Sequence, residues 1–278
     1  MAFIRNSDKE LFWTVVILFV GGILILSSAS IVLSEKNSGT FYYYTLRQIV
    51  LGGLVGFLGL FAAMKIPYRV WRKASVPLMV GSFILLALLL IPQFGFSHGG
   101  ATRWLSLGFI NFQPAEILKL AFIIYLASWL DARRSEVGSI AYGLMPFSLM
   151  IALVGVFLVM QPDIGPLITI LATAGIMYLL GGGRWHQVGI LAVLGIVVGF
   201  FLIQLAPYRL DRISVFFNPD FDPSGAGYQM TQALIAIGSG GAFGRGFGMS
   251  VQKYSYLPEP MGDSIFAVYL EEMGFVGA

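Results

Sequence analysis

Seven long apolar runs most constrain what this chain can fold into. A helix needs roughly 20 residues to cross a hydrocarbon core of about 30 Å, and six of the seven runs are long enough. Hydrophobic residues make up 57% of the chain and charged residues 11%, whereas soluble domains carry about 25% charged residues. We therefore predict an all-α, polytopic transmembrane helix bundle forming one membrane domain over residues 1–278. The runs are residues 11–33, 46–64, 74–91, 117–130, 140–160, 164–180 and 188–205.

Two apolar stretches are shorter than a full membrane span. The fourth run is short unless its helix begins near Gln113 and takes Glu116 and Lys119 into the membrane. An eighth stretch, residues 264–278, begins a further span and contains two adjacent glutamates. We therefore expect seven full spans plus the start of an eighth, and a chain truncated at its C-terminus. The first run is too long for a signal-peptide core, so we interpret it as a retained span.

The distribution of lysine and arginine predicts the orientation, since cytoplasmic loops are enriched in both. Placing the N-terminus in the cytoplasm puts nine of these residues from the short loops on that side and three on the other. Both long polar segments, residues 92–112 and 207–263, then lie outside the cytoplasm. The cytoplasmic group is Arg5, Lys9, Lys65, Arg69, Arg72, Lys73, Arg133, Arg134 and Arg184, and the external group is Lys36, Arg47 and Arg103.

Several classes of chemistry are excluded or disfavoured by the residues present. The chain has no cysteine, so disulfides, thiolate chemistry and cysteine metal sites are absent. GSGGAFGRGFG, residues 238–248, has glycines at dinucleotide-motif spacing, but no strand pattern precedes it, so a flexible glycine loop is the better interpretation. His98 and His186 fall in loops on opposite sides of the membrane and cannot form a metal pair. We expect no nucleic-acid partner.

The long polar segment, residues 207–263, contains one stretch with helical periodicity. Met230, Leu234 and Ile237 fall near one face at helical spacing, which predicts a short amphipathic helix over residues 228–237. Such a helix lies either in the membrane interface or packed on the bundle, and the sequence leaves both open.

The same segment ends at Asp263, where polar residues give way to the last apolar stretch. Pro258 and Pro260 hold the chain extended, and Gly262 permits a sharp turn into the helix that Ser264 begins. One interpretation is that Asp263 caps this helix. The other is that its carboxylate is a general base for an external substrate. The pattern alone favours the cap, although one carboxylate can serve both roles in turn.

Other charges lie in or beside the predicted spans, where their cost in lipid makes them functional candidates. Glu116 and Lys119 are spaced i, i+3, so on a helix they can neutralise each other, either to fix helix packing or to position a polar headgroup. Arg103, in GGATRWLSLGF, lies in a glycine-rich external turn and can hold phosphate oxygens bidentately. Asp163, in QPDIGP, begins the sixth span, and helix capping is the favoured interpretation there.

Four motifs occur in a familiar order along the chain. They are GATRWLSLGFINFQPAEILKL, QPDIGPLI, NPDFDPSGAGYQMTQALIAIGSGG and YLPEPMGDSIFAVYLEEMGFVGA. In order and spacing they resemble the SEDS family (shape, elongation, division and sporulation), whose members include FtsW and RodA. The stretch LPEPMGDSIFAV is more similar to the FtsW division branch than to RodA, which more often has a threonine before the aspartate. The chain lacks the family's last helices.

The resemblance implies a peptidoglycan glycosyltransferase that polymerises lipid II at the outer face of the bacterial cytoplasmic membrane. Implied partners are lipid II, undecaprenyl-pyrophosphate-linked glycan, a class B penicillin-binding transpeptidase and other divisome or elongasome membrane proteins. The family's essential loop aspartate matches Asp263, and its intramembrane pair matches Glu116 and Lys119. The arginine of its G-x-x-R-W turn matches Arg103.

On this basis we predict an inverting transfer in which Asp263 is the general base. Arg103, Arg209, Arg212 and Lys253 are candidate cations for the leaving pyrophosphate. A divalent cation, Mg or Mn, is a further candidate for that task, although no ligand set is recognisable. Two alternatives stay open: a flippase or transporter of lipid-linked precursors, and a non-catalytic divisome scaffold.

Overall fold

The computed structural model describes residues 9–91, 93–98, 101–106, 111–204, 210, 214–218, 222, 224–225 and 227–278. Of residues 96–98, 101 and 202–203, the description covers the backbone alone. The chain forms two compact units, unit one with residues 1–65 and 201–278 and unit two with residues 66–200. In chain order the elements are α1 (Lys9–Ala29), α2 (Ile31–Ser38), α3 (Tyr43–Arg47), a π-helical segment (Gln48–Leu54), α4 (Val55–Lys65), α5 (Tyr68–Leu88), β1 (Gly95–His98), β2 (Ala101–Ser106), β3 (Asn111–Phe112), α6 (Pro114–Ala132), a second π-helical segment (Ile140–Leu144), α7 (Met145–Met160), α8 (Ile164–Leu180), α9 (Trp185–Gln204), α10 (Tyr228–Gly240) and α11 (Ile265–Gly277).

Four helical stretches within the described residues are long and apolar enough to cross a membrane. Two more apolar helices are shorter, and α6 is 19 residues long but carries three charged side chains. The predicted polytopic helical character is confirmed, whereas the count of seven full spans stays a prediction. The four stretches are Lys9–Ala29, Tyr43–Lys65, Tyr68–Leu88 and Ile140–Met160.

The prediction of a purely α-helical fold is wrong in one place, because residues 92–112 contain a small antiparallel sheet. Its three strands are ordered β1-β2-β3. Gly95 pairs with Leu105, and Leu105 pairs in turn with Phe112. The threonine and aromatic residues of this stretch favour strand geometry, and the buried Leu105 joins the core of unit two. Arg103 therefore lies on strand β2 rather than in a turn.

The core of unit two is built around α6, which packs against α5 and α8. Leu118, Phe122, Leu126 and Leu130 recur every four residues along α6, and all four are buried. This spacing places them on one face of the helix, where they meet large apolar side chains of the neighbouring helices. The sheet is held on this core through Leu105.

The core of unit one is smaller and is made mostly of small residues. Ala236 of α10 and Ala267 of α11 are buried together with Ala29 of α1 and Leu257. At Gly240 a Cβ atom would lie 2.1 Å from the carbonyl oxygen of Leu270, so α10 and α11 approach more closely than larger side chains permit. The predicted helix over residues 228–237 is confirmed and extends to Gly240.

The predicted apolar face of that helix is not the face that packs. Met230, Leu234 and Ile237 are all exposed within unit one, whereas Ala236 and Gly240 are buried. A face of small residues thus makes the contact with α11, and the larger apolar side chains are left on the outside of the unit.

Candidate active site

Asp263 lies at the end of residues 241–264, a stretch without helix or strand that joins α10 to α11. Ser264 is the N-cap of α11, Ile265 is its first helical residue, and the Ser264 side chain makes no capping hydrogen bond to the helix backbone. The interpretation of Asp263 as the N-cap is therefore wrong. Its side chain is exposed, so the carboxylate is accessible to a substrate hydroxyl.

The turn before Asp263 is made by the backbone of Glu259. The Glu259 carbonyl accepts hydrogen bonds from the backbone N–H of Gly262, at 3.1 Å, and of Ser264, at 3.2 Å. Glu259 itself takes the left-handed conformation, with φ of 47°, whereas Gly262, the residue predicted to permit the sharp turn, does not have a positive φ. The Gln229 amide donates to the Ser264 hydroxyl at 3.2 Å, so α10 holds the residue that follows Asp263.

A cavity of about 410 Å³ lies in unit one beside this turn. Met261 and Ile265, two residues before and after Asp263, form one wall of it, and α1 forms another. The lining is apolar except for Gln48, which begins the first π-helical segment. The full lining is Leu18, Phe19, Gly22, Ile23, Leu26, Gln48, Met261 and Ile265.

Lys253 is buried inside unit one, where its ammonium group has three partners. It donates to the Glu272 carboxylate at 2.8 Å, to the Ser28 hydroxyl at 2.9 Å and to the Gly248 carbonyl at 2.8 Å. The Ser28 hydroxyl donates to the same Glu272 oxygen at 2.6 Å. Lys253 is 1% exposed, so the structure does not place it where a substrate phosphate can reach it. We therefore withdraw it as a candidate cation.

Glu271, the neighbour of Glu272, is also fully buried and holds the same stretch of chain. Its carboxylate accepts from the Ser250 hydroxyl at 2.6 Å and from the backbone N–H groups of Val251 and Gln252 at 3.1 and 3.3 Å. The Arg245 guanidinium lies 3.7 Å from it. Buried carboxylates require such partners, since an unpaired charge inside a protein is costly.

Two glycines let residues 241–246 run directly against the last turns of α11. Gly244 has φ of 76°, and a Cβ atom there would lie 2.2 Å from the Glu272 carbonyl oxygen. Gly274 has φ of 69°, and its Cβ atom would lie 2.2 Å from the Gly244 nitrogen. The close contact lets the Arg245 N–H donate to the Glu271 carbonyl at 3.0 Å.

The sequence reasoning missed the buried hydrogen bonds of Ser28, Ser250, Glu271 and Glu272. The one available signal was the pair of adjacent glutamates in an apolar stretch, because such charges require buried partners. Nothing in the sequence identifies Ser28 as one of those partners, since it precedes Lys253 by 225 residues.

In unit two, Glu116 and Lys119 form the predicted ion pair. The Lys119 ammonium lies 2.8 Å from the Glu116 carboxylate, and their side chains are 29% and 58% exposed. Helix α6 begins at Pro114 after Gln113, as required for both charges to belong to it. The pairing is confirmed, whereas a role in substrate binding stays a prediction.

Arg103 and Asp163 come together in unit two, and their contacts correct a second capping interpretation. Asp163 is at the N-cap position of α8 but its side chain makes no cap hydrogen bond. Its buried carboxylate instead accepts from the Gln113 amide at 2.5 Å and lies 3.9 Å from the Arg103 Nε. The Arg103 guanidinium also donates to the Pro162 carbonyl at 2.5 Å. Arg103 is thus held at a fixed position while 37% of its side chain stays exposed.

Two candidate cations, Arg209 and Arg212, lie outside the described residues. In the part of the chain that the structure describes, no three acidic, histidine or cysteine side chains cluster in a way that could hold a metal ion. These residues therefore do not fit a metal held by protein ligands alone, and no chemical step is assigned to one.

Comparison with known proteins identifies the chain's relatives. The family model for cell cycle proteins, FTSW_RODA_SPOVE, matches residues 9–278. A probable peptidoglycan glycosyltransferase FtsW of Geobacter sp. (strain M18) is 37% identical over 277 residues, which are 99% of this chain and 74% of the relative. Stage V sporulation protein E of Bacillus subtilis (strain 168) is 36% identical over 272 residues, 98% of this chain and 74% of the relative.

Two solved structures are also similar to this chain. One chain of a peptidoglycan synthase complex, described as coordinating polymerization and crosslinking, has a TM-score of 0.74 and 26% identity, covering 98% of this chain and 73% of that one. The rod shape determining protein RodA of Thermus thermophilus has a TM-score of 0.62 and 27% identity, covering 98% and 69%.

The fold and the comparisons together define a class of protein: a multi-pass helical membrane protein with charged groups buried among its helices. Within that class, the chain belongs to the FtsW, RodA and SpoVE family of cell cycle proteins. The predicted family resemblance is thereby confirmed.

Proposed function

We propose that this protein is a peptidoglycan glycosyltransferase that polymerises lipid II, with Asp263 as general base. The observation that carries the proposal is an exposed carboxylate at Asp263, with Met261 and Ile265 on either side of it lining an apolar cavity, in a family whose relatives include named peptidoglycan glycosyltransferases. The apolar wall suits the hydrocarbon part of a lipid-linked substrate. The carboxylate suits the sugar hydroxyl that must lose a proton.

In the proposed reaction, the 4-hydroxyl oxygen of the acceptor lipid II forms a bond to C1 of the growing chain's terminal sugar. The bond from C1 to the phosphate oxygen breaks, and undecaprenyl pyrophosphate leaves with the electron pair. Asp263 accepts the hydroxyl proton, a function that commonly contributes about 10² to 10⁴ in rate. A single displacement inverts the anomeric centre, which converts an α-linked donor into a β-linked glycan.

Three charged residues are further candidates for substrate binding, namely Arg103, Glu116 and Lys119. Arg103 lies 3.9 Å from Asp163 and donates to the Pro162 carbonyl, with part of its side chain exposed, which suits it to contact an anionic group of the substrate. The Glu116 and Lys119 pair is proposed to position a polar headgroup. Arg209 and Arg212 remain candidates by sequence. A divalent cation, Mg or Mn, would require substrate phosphates among its ligands.

The cellular setting is also proposed from the sequence and the family. The N-terminus is cytoplasmic, residues 92–112 and 207–263 face outward, and polymerisation takes place at the outer face of the bacterial membrane. The relatives named FtsW, together with LPEPMGDSIFAV, support a role in the division branch. A class B penicillin-binding transpeptidase and other divisome or elongasome proteins are the proposed partners, and a likeness to one chain of a synthase complex supports such an assembly.

The test is polymerisation of purified lipid II by the reconstituted protein, with and without Asp263→Asn. We expect the variant to unfold at an unchanged temperature and to lose at least about 100-fold in rate. Asp222→Asn, a change at another carboxylate of the 207–263 segment, is the matched control. Near-normal glycan product from Asp263→Asn would exclude Asp263 as the base. No product from the wild type, with lipid II supplied on the outer side, would favour a flippase or a scaffold.

A further inference from the structure

The position of Asp263 is set by contacts rather than by regular secondary structure. Residues 241–264 contain neither helix nor strand, so Asp263 is attached on one side to α11 and on the other to a long irregular stretch. Such a stretch holds one conformation only where its side chains and backbone are fixed to neighbouring elements. Two buried charges attach it: Glu271, which accepts hydrogen bonds from residues 250–252, and Lys253.

Lys253 joins three parts of unit one at a single atom. Its ammonium group has three N–H donors, and they reach Glu272 of α11, Ser28 of α1 and the Gly248 carbonyl of the irregular stretch itself. All three donors therefore have an acceptor at a normal hydrogen-bond distance. Lys253, Ser28 and Glu272 are each no more than 3% exposed, so water does not compete for these bonds.

The hydrogen bond between Lys253 and Glu272 closes a loop of chain, residues 253–272, with Asp263 near its middle. Asp263 is ten residues after Lys253 and nine before Glu272. Since Lys253 is bound to Glu272, both ends of this loop are fixed to the same turn of α11. Ser28 ties that point to α1, the helix that forms the opposite wall of the cavity beside Asp263. The Lys253 contacts thus set the distance between the Asp263 turn and that wall.

Stability alone does not account for a charged residue at this position. A buried ion pair can often be replaced by apolar residues of similar volume with no loss of stability, and in some proteins with a gain. Apolar side chains, however, tolerate several packing arrangements, whereas three satisfied donors fix a single one. We infer that Lys253, through Glu272 and Ser28, is a positioning residue that holds Asp263 in register with the cavity for glycosyl transfer.

This inference rests on the proposed function, and its first test is kinetic. In the purified protein we expect Lys253→Met to lower kcat for lipid II polymerisation roughly 10- to 100-fold, the size of effect that a misplacement near 1 Å can produce. The KM should stay within about twofold of wild type, because no substrate contact is removed. Lys9→Met, at an exposed lysine of α1, is the matched control and should behave as wild type.

Ser28→Ala provides a milder variant should Lys253→Met fail to fold. It removes one of the three partners and leaves the charge pair intact, so we expect a smaller decrease in kcat, again without a change in KM. A raised KM with unchanged kcat in either variant would show that Lys253 acts in binding. Wild-type kcat and KM in both variants would also overturn the inference.

The second test does not depend on activity. Because the chain has no cysteine, spin labels can be placed at Glu35→Cys in α2 and Gly262→Cys beside Asp263. We expect the distance distribution between them to broaden or shift with Lys253→Met and to be unchanged with Lys9→Met. An unchanged distribution with Lys253→Met would overturn the positioning role even if no polymerisation were detected. Activity retained by Asp263→Asn would instead count against the proposed function.

Discussion

Two lysine–glutamate pairs in this protein have the same separation of 2.8 Å and opposite surroundings. Glu116 and Lys119 are three residues apart on α6, with side chains 58% and 29% exposed. Lys253 and Glu272 are 19 residues apart, with side chains 0% and 4% exposed. The distance between the charges therefore says little about what each pair contributes to the protein.

The difference lies in what happens when one partner is lost. Where water reaches an exposed pair, the remaining charge is solvated, so such pairs contribute about 0–1 kcal/mol to stability. In a buried pair the remaining charge stays inside the protein without compensation, which costs roughly 3–5 kcal/mol. The pair on α6 is thus free to serve a substrate, whereas the Lys253 pair is committed to the fold of unit one.

The largest expected loss of stability follows from removing Glu272, the hydrogen-bond acceptor of the buried pair. Glu272→Ala leaves the Lys253 ammonium buried without its carboxylate and takes away the acceptor of Ser28. We expect the free energy of unfolding to fall by about 3–5 kcal/mol, measured by thermal unfolding of the purified protein in detergent. Glu35→Ala, at an exposed glutamate of the same unit, should change it by less than about 0.5 kcal/mol. Equal shifts for the two variants would contradict the comparison.

Replacing both members of the buried pair tests whether the loss of stability comes from the unpaired charge. Lys253→Met combined with Glu272→Leu leaves no unpaired charge at the site, so we expect it to recover about 2 kcal/mol relative to Glu272→Ala alone. Thermal unfolding of the two variants side by side measures this difference. A double variant as unstable as the single one would show that the two residues do not act as a pair.

The two pairs also differ in how far apart their members lie in the chain, and that difference explains how much of the molecule could be predicted from sequence. An apolar run is made of consecutive residues, so it can be recognised directly in the sequence. The predicted runs at residues 140–160 and 164–180 coincide with helical stretches residue for residue. The Glu116 and Lys119 pair was predictable for the same reason, because helical spacing alone brings the two together. The small sheet was missed because its strands are short and lie in a glycine-rich stretch.

The two capping predictions failed for a different reason. Asp163 precedes a helix, as a capping residue does, but its carboxylate accepts a hydrogen bond from Gln113 and lies 3.9 Å from the Arg103 guanidinium, both outside that helix. Asp263 also precedes a helix, but the chain enters the cap position one residue later, at Ser264. A contact between residues far apart in the chain accounts for Asp163, and a single sequence carries no record of it. At Asp263 the difference is local, because the turn is closed by hydrogen bonds to the Glu259 carbonyl.

An intermediate loss of stability is expected from a change at Asp163, which is buried while its partner Arg103 is partly exposed. Asp163→Asn keeps the shape of the side chain but removes the charge that strengthens the hydrogen bond from Gln113 and attracts the Arg103 guanidinium 3.9 Å away. We expect the free energy of unfolding to fall by about 1–2 kcal/mol. Asp131→Asn, in an exposed pair with Arg72 at 2.7 Å, is the control and should cost at most about 1 kcal/mol. A larger loss for Asp131→Asn would reverse the expected order.

The smallest effect on stability is expected for the exposed pair of α6, and this makes it the most informative test of function. Glu116→Gln should lower the free energy of unfolding by less than about 1 kcal/mol. If the pair positions a substrate headgroup, the same change should reduce lipid II polymerisation by a larger factor than so small a destabilisation explains. Glu136→Gln breaks a matched i, i+3 pair with Arg133, separated by 2.9 Å and 47% exposed on both sides, and should affect neither property. Equal activity of Glu116→Gln and Glu136→Gln would show that the α6 pair does not position a substrate headgroup.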